Sequence, residues 1–268
     1  MSVQVRHFIE LVETVAPAAL AESWDNPGLQ VGISTAQVRR VLTALDPTLG
    51  AVRAAMSHKA QILFTHHPLI FQPVSRIEST AFPGNVICEA LKGGVSIVSA
   101  HTNLDAAQGG INDMLAELLG LENVSVLSPV DDSNRIGLGR IGNLPQPIPI
   151  ARFARNVSQT LGTGALKRVG EENRQIHRVA VVGGSGGSLI KTAHEKGADL
   201  LLTGDVGHHA ALEAATLGLA LLDGGHFATE KAAFTRFSRY LAARCQTTGW
   251  TLEFKSHEDE ADPMIWET

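Results

Sequence analysis

Histidines and carboxylates recur in this chain at the places where apolar runs end. The runs "ILFT", "SIVS" and "LALLD" are each followed within a few residues by histidine, and two of those histidines have a carboxylate four residues later. Short apolar runs of this kind predict buried strands, and open α/β sheets place their binding sites at the carboxyl ends of strands. The candidate metal ligands selected in this way are His66, His67, His101, Asp105, His226 and Glu230.

The number of these donors indicates two metal ions. One catalytic divalent ion takes three or four protein ligands, whereas two ions with bridging carboxylates accommodate all six donors and leave positions for water. We predict that Asp105 and Glu230 are the bridges, and that their spacing from histidine reflects loop reach rather than a helical turn. Zinc, iron, manganese, nickel and cobalt all suit such donors. For any single histidine the alternative is an ordinary hydrogen-bonded or exposed residue, and the repeated pairs favour metal.

Other polar motifs are secondary candidates. In "GDVGHH", Asp205, His208 and His209 could support the metal ligands, contact substrate or move protons, and Asp205 and His208 are the tentative catalytic residues. The alternative is a helix cap by Asp205 with solvated histidines. "ESWDNPGLQVG" is a candidate substrate loop in which Trp24 stacks, although Asn-Pro-Gly is also ordinary turn chemistry. The glycine-rich "VVGGSGGS" lacks a Walker lysine and the full GxGxxG pattern, so a tight turn is favoured over a phosphate site.

The elements that position these residues occur twice. Strand-like runs alternate with helical patterns, which indicates an α/β fold with largely buried strands. Residues 40–67 align without a gap on residues 178–205. Past an insertion or deletion, residues 93–105 align on residues 218–230, so that each histidine-carboxylate pair matches the other. Strands resemble one another by chance, but the matching polar positions favour a duplication with a site where the halves meet.

A proline- and glycine-rich stretch divides the two repeats. Residues 127–150 predict a connector with turns at a domain boundary. We therefore predict a first α/β domain, residues 1–126 plus 225–268, which carries most of the metal ligands. Residues 127–224 are predicted to form a second, repeat-related α/β domain, and both repeats are expected to contain mixed sheets.

Composition narrows the classes of function. The net charge of -5 and the pI near 6.1 leave no basic footprint for nucleic acid. No apolar run approaches the about 18 residues of a membrane span, and the opening "MSVQVRHFIELVETVAP" lacks the pattern of a signal peptide. Cys88 and Cys245 lie far apart without CxxC spacing, so a thiolate zinc site is not expected. We expect a cytoplasmic protein that acts neither at a membrane nor on nucleic acid.

Several motifs occur in a fixed order across nearly the whole chain: "SWDNPGLQVG", "THHPLIF", "SAHTNLDAAQGGIND", "GGSGGS", "LLTGD" and "GGHFATE". In this combination the sequence resembles the Nif3-like dinuclear-metal-centre hexamer family, also called GTP cyclohydrolase 1 type 2 homologues. The resemblance implies that the six candidate ligands hold the metal ions and that two α/β repeats intertwine in a Nif3-like fold. It also implies a toroidal homohexamer, a trimer of dimers, with sites facing an internal cavity. The glutamate that is commoner in the family after "TG" is Asp205 in this chain.

These observations together predict a dinuclear metal-dependent hydrolase. Bound water would lose a proton near neutral pH and attack an electrophile held at the second ion. The expected substrate is an unidentified nucleotide-like or phosphate-containing small molecule, and the family name suggests ring opening of GTP. The alternative is a metal-stapled oligomeric scaffold or adaptor without turnover. Candidates for proton transfer such as Asp205 and His208 favour the hydrolase.

Overall fold

The computed structural model of the protein describes residues 3–130 and 135–265. Within those residues, no helix combines the length and the hydropathy needed to cross a lipid bilayer. The strands are β1 (Val3–Gln4), β2 (Gly28–Val31), β3 (Gln37–Val38), β4 (Arg40–Ala44), β5 (Ile62–Thr65), β6 (Ser96–Ser99), β7 (Glu122–Pro129), β8 (Gly137–Pro149), β9 (Lys167–Val169), β10 (Gln175–Ser185), β11 (Leu200–Gly204), β12 (Ala220–Asp223) and β13 (Glu253–Ser256). The helices are α1 (Val5–Glu13), α2 (Leu49–Ser57), α3 (Gly84–Gly93), α4 (Thr102–Ala106), α5 (Ile111–Leu118), α6 (Ile150–Leu161), α7 (Ile190–Glu195), α8 (His208–Leu217) and α9 (His226–Thr247).

The chain divides into two compact units, and each is built from two stretches of sequence. The first comprises Met1–Leu104 and Thr235–Ala261, and the second comprises Asp105–Phe234 and Asp262–Thr268. The chain changes unit inside helices α4 and α9, and a third time between Ala261 and Asp262, after the last strand. The domain bounds predicted from the sequence differ from these units at residues 105–126, 225–234 and 262–268, and they stay a prediction.

The first unit contains a mostly parallel sheet with the strand order β13-β4-β5-β6-β2. Neighbours from β13 to β6 run parallel, whereas the edge strand β2 is antiparallel to β6. Every residue of β5 and β6 is buried. A strand covered on both faces is typically a continuous apolar run, which "ILFT" nearly is, whereas "SIVS" buries a serine at each end of Ile97 and Val98.

Helices α2 and α3 pack their apolar faces on this sheet. One core cluster joins Val52 of α2, Val86 of α3 and Leu63 of β5. Thr48 caps α2 by accepting a hydrogen bond from the N–H of Ala51. Gly94 ends α3 with φ 66°, a left-handed conformation that glycine adopts without strain. The two helices thus pack on strands β5 and β6.

The second unit contains a sheet with the strand order β7-β8-β10-β11-β12-β9. The strands β10, β11 and β12 are parallel to one another, and β7, β8 and β9 are antiparallel to their neighbours. Its core joins Leu201 of β11 to Ala193 of α7 and Ala214 of α8. Both sheets are therefore mixed, which confirms the predicted α/β fold with mixed sheets.

Backbone pairing in the two units confirms the predicted repeat. In the first unit Val41 of β4 pairs with Ile62 of β5, and in the second unit Val179 of β10 pairs with Leu200 of β11. These pairs occupy matched positions in the gap-free alignment. Each set of three parallel strands also ends at an antiparallel edge strand, β2 or β9. The similarity thus extends from residue pattern to strand register.

In the third strand of each repeat, the observed pairing shifts the alignment of residues 93–105 on residues 218–230 by one position. Thr65 of β5 pairs with Ser99 of β6, and Thr203 of β11 pairs with Asp223 of β12. Ser99 therefore matches Asp223, whereas the alignment of the sequences sets Ser99 against Gly224. The second unit has one more residue between the strand and its histidine, because two glycines stand where the first unit has only an alanine.

The stretch predicted to be a connector is instead a pair of strands. β7 and β8 are antiparallel, and β8 also pairs with β10 inside the sheet. Proline lacks the N–H that a sheet ladder requires. Pro145 and Pro147 lie between Asn143 and Ile148, where the pairing with β10 shifts register, so they interrupt no regular ladder. Residues 131–134 of this stretch lie outside the described residues.

Candidate metal-binding residues

Three histidines of the first unit meet at the carboxyl ends of two neighbouring strands. His66 and His67 follow β5, and His101 follows β6 after one intervening residue. Because β5 and β6 are parallel neighbours, they end at the same edge of the sheet. The ring centroids of the three histidines lie 5.1, 5.2 and 5.4 Å apart. One ligand atom of each ring lies within 4.8 Å of the others, so this group could hold a metal ion.

The ring of His66 is held in one orientation by a backbone carbonyl. His66 is fully buried, and its Nδ1 lies 2.8 Å from the carbonyl oxygen of Ala100. A carbonyl oxygen only accepts hydrogen bonds, so Nδ1 carries the proton and donates it. With its proton on Nδ1, the neutral form of the ring has its lone pair on Nε2, which is the atom that a metal ion binds.

Carboxylates hold the other two rings of this group. Nδ1 of His67 lies 2.8 Å from Oδ1 of Asp46, and Nδ1 of His101 lies 2.9 Å from Oδ1 of Asp25. A carboxylate that accepts from Nδ1 fixes the ring orientation and raises the basicity of Nε2. The three rings thus share one arrangement, with Nδ1 as donor and Nε2 as the candidate ligand atom. This chemistry fits a divalent transition ion.

The Asp25 carboxylate accepts several hydrogen bonds. Its Oδ2 accepts from the backbone N–H of Thr102 at 3.0 Å and also from the hydroxyl of that residue. Burial alone raises the pKa of Asp25, but the hydrogen bonds from His101 and Thr102 and the charge of His101 outweigh it. The pKa of Asp25 consequently lies well below its usual range. Asp25 is therefore ionised beside His101 throughout the neutral pH range.

The backbone at Asp46 is held by Glu260, a residue near the carboxyl end of the chain. The backbone N–H groups of Leu45 and Asp46 donate to the two carboxylate oxygens of Glu260, at 2.9 and 2.8 Å. Thr65 donates its hydroxyl to the carbonyl of His67 at 2.8 Å. The end of β4, the carboxylate of Asp46 and the ring of His67 are thus connected by hydrogen bonds.

In the second unit a histidine and a glutamate lie together at the start of α9. Nε2 of His226 lies 3.1 Å from Oε2 of Glu230, and Nδ1 of His226 lies 2.7 Å from Oδ2 of Asp205. Glu230 is buried, and the side chain of Asp205 is half exposed. His226 therefore has the same arrangement as the three histidines of the first unit, with Nδ1 donating to an acceptor oxygen.

The four-residue spacing of the pair in the second repeat is one helical turn, so loop reach is the wrong explanation for that pair. His226 and Glu230 lie one turn apart on α9. Asp105 lies on the short helix α4, which begins directly after His101. Residues four apart on a helix lie on the same face, so the spacing brings the His226 and Glu230 side chains together without help from a loop.

The glycine-rich end of β10 leaves room for Glu230. Gly184 has φ 64°, and a Cβ added there would collide with Oε1 of Glu230 and lie 3.2 Å from Nε2 of His226. Its N–H donates to the hydroxyl of Thr229 at 3.0 Å. The neighbouring N–H of Gly183 donates to Oδ1 of Asn112 at 2.9 Å. This end of the strand thus packs against the carboxylate, and the tight turn predicted for the motif is instead the irregular end of β10 followed by a short 3-10 helix at Gly187–Leu189.

Asp105 and His208, the other predicted site residues, lie in different surroundings. Asp105 is half buried, and its backbone carbonyl accepts from Nδ2 of Asn112 at 3.0 Å. His208 begins α8 and is exposed, with its ring centroid 5.7 Å from that of His209. Asp205 orients His226, as described above. A bridging role for Asp105 and a proton-transfer role for His208 stay predictions.

Of the histidine partners, sequence reasoning selected Asp205 and missed Asp46 and the carbonyl of Ala100. Asp46 follows the apolar run "LTAL", a signal of the same kind as the one that selected His66. The sequence indicates that Asp25 forms hydrogen bonds in a candidate substrate loop, but it does not predict the pairing of Asp25 with His101. The carbonyl of Ala100 has no signature, because every residue has a carbonyl.

Comparisons with known proteins cover nearly the whole chain. The sequence model of the family Duf34/NIF3 (NGG1p interacting factor 3) matches residues 3–263. A protein of Clostridium acetobutylicum named GTP cyclohydrolase 1 type 2 homolog is 31% identical over 264 residues, which cover 98% of this chain and 98% of that protein. A protein of the same name from Streptomyces coelicolor is 35% identical over 260 residues, with 95% of this chain and 91% of that protein covered.

The fold has a close counterpart among solved structures. The crystal structure of a Bacillus cereus protein related to NIF3 matches with a TM-score of 0.94 and 27% sequence identity, and it covers 100% of both chains. Family model, relatives and solved structure all extend over both units. The chain therefore belongs to the Duf34/NIF3 family.

Proposed function

We propose that this protein binds two divalent metal ions per chain and uses them to hydrolyse a nucleotide-like or phosphate-containing small molecule. The observation that carries the proposal is shared by His66, His67, His101 and His226. Each of these rings has Nδ1 within 2.9 Å of an oxygen that only accepts hydrogen bonds. Such contacts fix the ring and put the lone pair on Nε2, which is the usual state of a metal-ligating histidine.

The proposed ligand set rests on the repeat and on family membership. The two histidine-carboxylate pairs occupy corresponding places, each shortly after the third parallel strand of its repeat. Six nitrogen and oxygen donors suffice for two ions that share carboxylates. Zinc, iron, manganese, nickel and cobalt are the candidates for these ions. The ligands we propose are His66, His67, His101, Asp105, His226 and Glu230.

The protein's own contribution is to hold the ligand rings and to move protons. When bound, a divalent ion lowers the pKa of water and stabilises negative charge on a substrate oxygen. Asp25, Asp46 and Asp205 orient three of the histidine rings. Asp205 is half exposed, so its carboxylate is able to exchange protons with solvent, and we propose it together with His208 for proton transfer.

The proposal also covers the class of substrate and the oligomeric state of the protein. The relatives' name, GTP cyclohydrolase 1 type 2 homolog, points to a purine nucleotide, and GTP is included among the substrates to be screened. We propose a cytoplasmic homohexamer, a toroidal trimer of dimers, on the family resemblance alone. The small-molecule substrate remains to be identified by screening.

Metal analysis combined with an activity screen tests the proposal. Protein purified without chelator should contain about two equivalents of divalent metal per chain. Removing the metal with EDTA should abolish hydrolysis in a screen of nucleotides and phosphate esters, and restoring it should recover hydrolysis at unchanged oligomer mass. Loss of the oligomer without metal, together with no turnover of any compound, would favour the metal-stapled scaffold instead.

A further inference from the structure

Two exposed aromatic rings lie side by side next to the histidine group of the first unit. Trp24 is 54% exposed and Phe71 is 43% exposed. Their ring planes differ by 13°, and their centroids lie 6.3 Å apart. Large aromatic side chains are usually buried, because each removes about 150–250 Å² from water. A pair that is left exposed and parallel indicates a binding surface.

Both rings contact the imidazole of His101. The centroid of Trp24 lies 5.9 Å from that of His101 at an interplanar angle of 71°, and the centroid of Phe71 lies 5.6 Å away at 84°. Asp25, which follows Trp24 in the chain, accepts the hydrogen bond from Nδ1 of the same imidazole. A molecule stacked on the aromatic pair would therefore lie beside a proposed metal ligand.

Hydrogen bonds tie together the two loops that carry the pair. Nδ2 of Asn26 donates to the carbonyl of Ile70 at 2.7 Å, and the N–H of Ile70 donates to Oε1 of Gln30 at 3.2 Å. Nε2 of Gln30 in turn donates to the carbonyl of Asn26 at 2.6 Å. The residue before Phe71 is thus bound to the loop that follows Trp24. The pair is held in place before a ligand arrives, which lowers the entropy cost of binding.

We propose that Trp24 and Phe71 bind a planar aromatic ring of the substrate by stacking, with the reacting group directed to the histidines. The position of the reacting group rests on the proposed function, whereas the ring site stands on the aromatic pair itself. The ligand class is a small molecule that joins an aromatic ring to an anionic group, as a nucleoside monophosphate does. Stacking of this kind accepts different bases, since every base has a π-face.

Equilibrium binding tests this proposal without turnover. The four ribonucleoside monophosphates, and ribose 5-phosphate as the probe without a ring, are titrated calorimetrically into the purified protein and into EDTA-treated protein. At least one nucleotide should bind about tenfold or more tightly than ribose 5-phosphate. W24L and F71L should each weaken that nucleotide by about tenfold while leaving metal content and ribose 5-phosphate binding unchanged. F82L is the matched control, because Phe82 is 70% exposed and lies outside the pair, and it should change neither affinity.

Either of two results would overturn the ring site. One is equal nucleotide affinity in the wild type, W24L and F71L, with all three folded as judged by thermal unfolding. The other is that no nucleotide binds more tightly than ribose 5-phosphate. The outcome is separate from that of the proposed function: hydrolysis without any effect of Trp24 refutes the ring site alone, and Trp24-dependent ring binding without hydrolysis refutes the hydrolase alone.

Discussion

The side chain of Asp46 orients His67, while Glu260 accepts a hydrogen bond from the backbone N–H of Asp46. Oδ1 of Asp46 lies 2.8 Å from Nδ1 of His67, and the N–H of Asp46 donates to Oε1 of Glu260 at 2.8 Å. Glu260 lies 214 residues from Asp46 in the chain. The direction in which His67 presents Nε2 therefore depends on segments that only the folded first unit brings together.

Replacing Asp46 by alanine should weaken metal binding without unfolding the protein. The His67 ring would lose the acceptor that fixes its orientation and its protonated nitrogen. Partners of this kind typically contribute about 10- to 100-fold to metal affinity, so a loss of about tenfold or more is expected in competition with a chromophoric chelator. E260A should shift the affinity in the same direction by a smaller factor.

A matched variant separates this effect from a general loss of negative charge. Glu10 is an exposed carboxylate on α1, and E10A should leave metal affinity unchanged. Unaltered affinity in D46A, or an equal loss in E10A, would contradict the orienting role of Asp46.

Replacing Gly184 by alanine should destabilise the protein and lower its metal content. The left-handed conformation at φ 64° costs a residue with a side chain about 1–2 kcal/mol, and the added Cβ would also displace the Glu230 carboxylate. The expected loss in free energy of unfolding is at least that amount by urea titration. G187A is the control, because its Cβ would make an ordinary contact of 3.6 Å with Ala210 and no left-handed backbone is involved. Similar stability and metal content in the two variants would refute this role of Gly184.

The histidine group of the first unit is predictable from the sequence because two local signals coincide. The run "ILFT" is apolar enough to predict a buried strand, and His66 and His67 follow it directly. Parallel pairing then brings the end of the next strand, and with it His101, to the same edge of the sheet. No information beyond residue type and strand end is needed for these three positions.

The partners of the histidines and two of the strands depend instead on contacts that are distant in sequence. Asp46 is separated from His67 by 21 residues, and Asp25 from His101 by 76. Strand β2 follows an Asn-Pro-Gly turn that predicts a loop, and it becomes a strand only by pairing with β6. The prolines of β8 likewise predict a connector, although pairing on both sides makes a strand.

The two cysteines should react very differently with a thiol reagent. Burial raises the pKa of the Cys245 thiol to about 11, and only the thiolate reacts. At pH 8 the Cys245 thiol is therefore almost entirely protonated, and the side chain is also buried away from the reagent. Native protein treated with a disulfide reagent should therefore react at Cys88, which is only partly buried, and release the second equivalent only on unfolding. C88S should lack the early reaction and C245S should retain it, and fast reaction of native C88S would contradict the assignment.

Asp25 should make the stability of the metal-free protein fall in acid. Its pKa in the folded protein lies below the ordinary value of 3.8, since the hydrogen bonds from His101 and Thr102 outweigh the effect of burial. A carboxylate with a lowered pKa contributes fully to stability above its ordinary pKa, and the contribution is lost as the pH falls toward the folded value. The difference in free energy of unfolding between wild type and D25N, measured by urea titration of EDTA-treated protein, should therefore shrink as the pH falls below about 5. T102A removes one of the donors to Asp25 and should give a smaller pH-dependent change than D25N. A wild-type to D25N difference that stays constant down to about pH 3 would show that the carboxylate is not held in its charged form by these contacts.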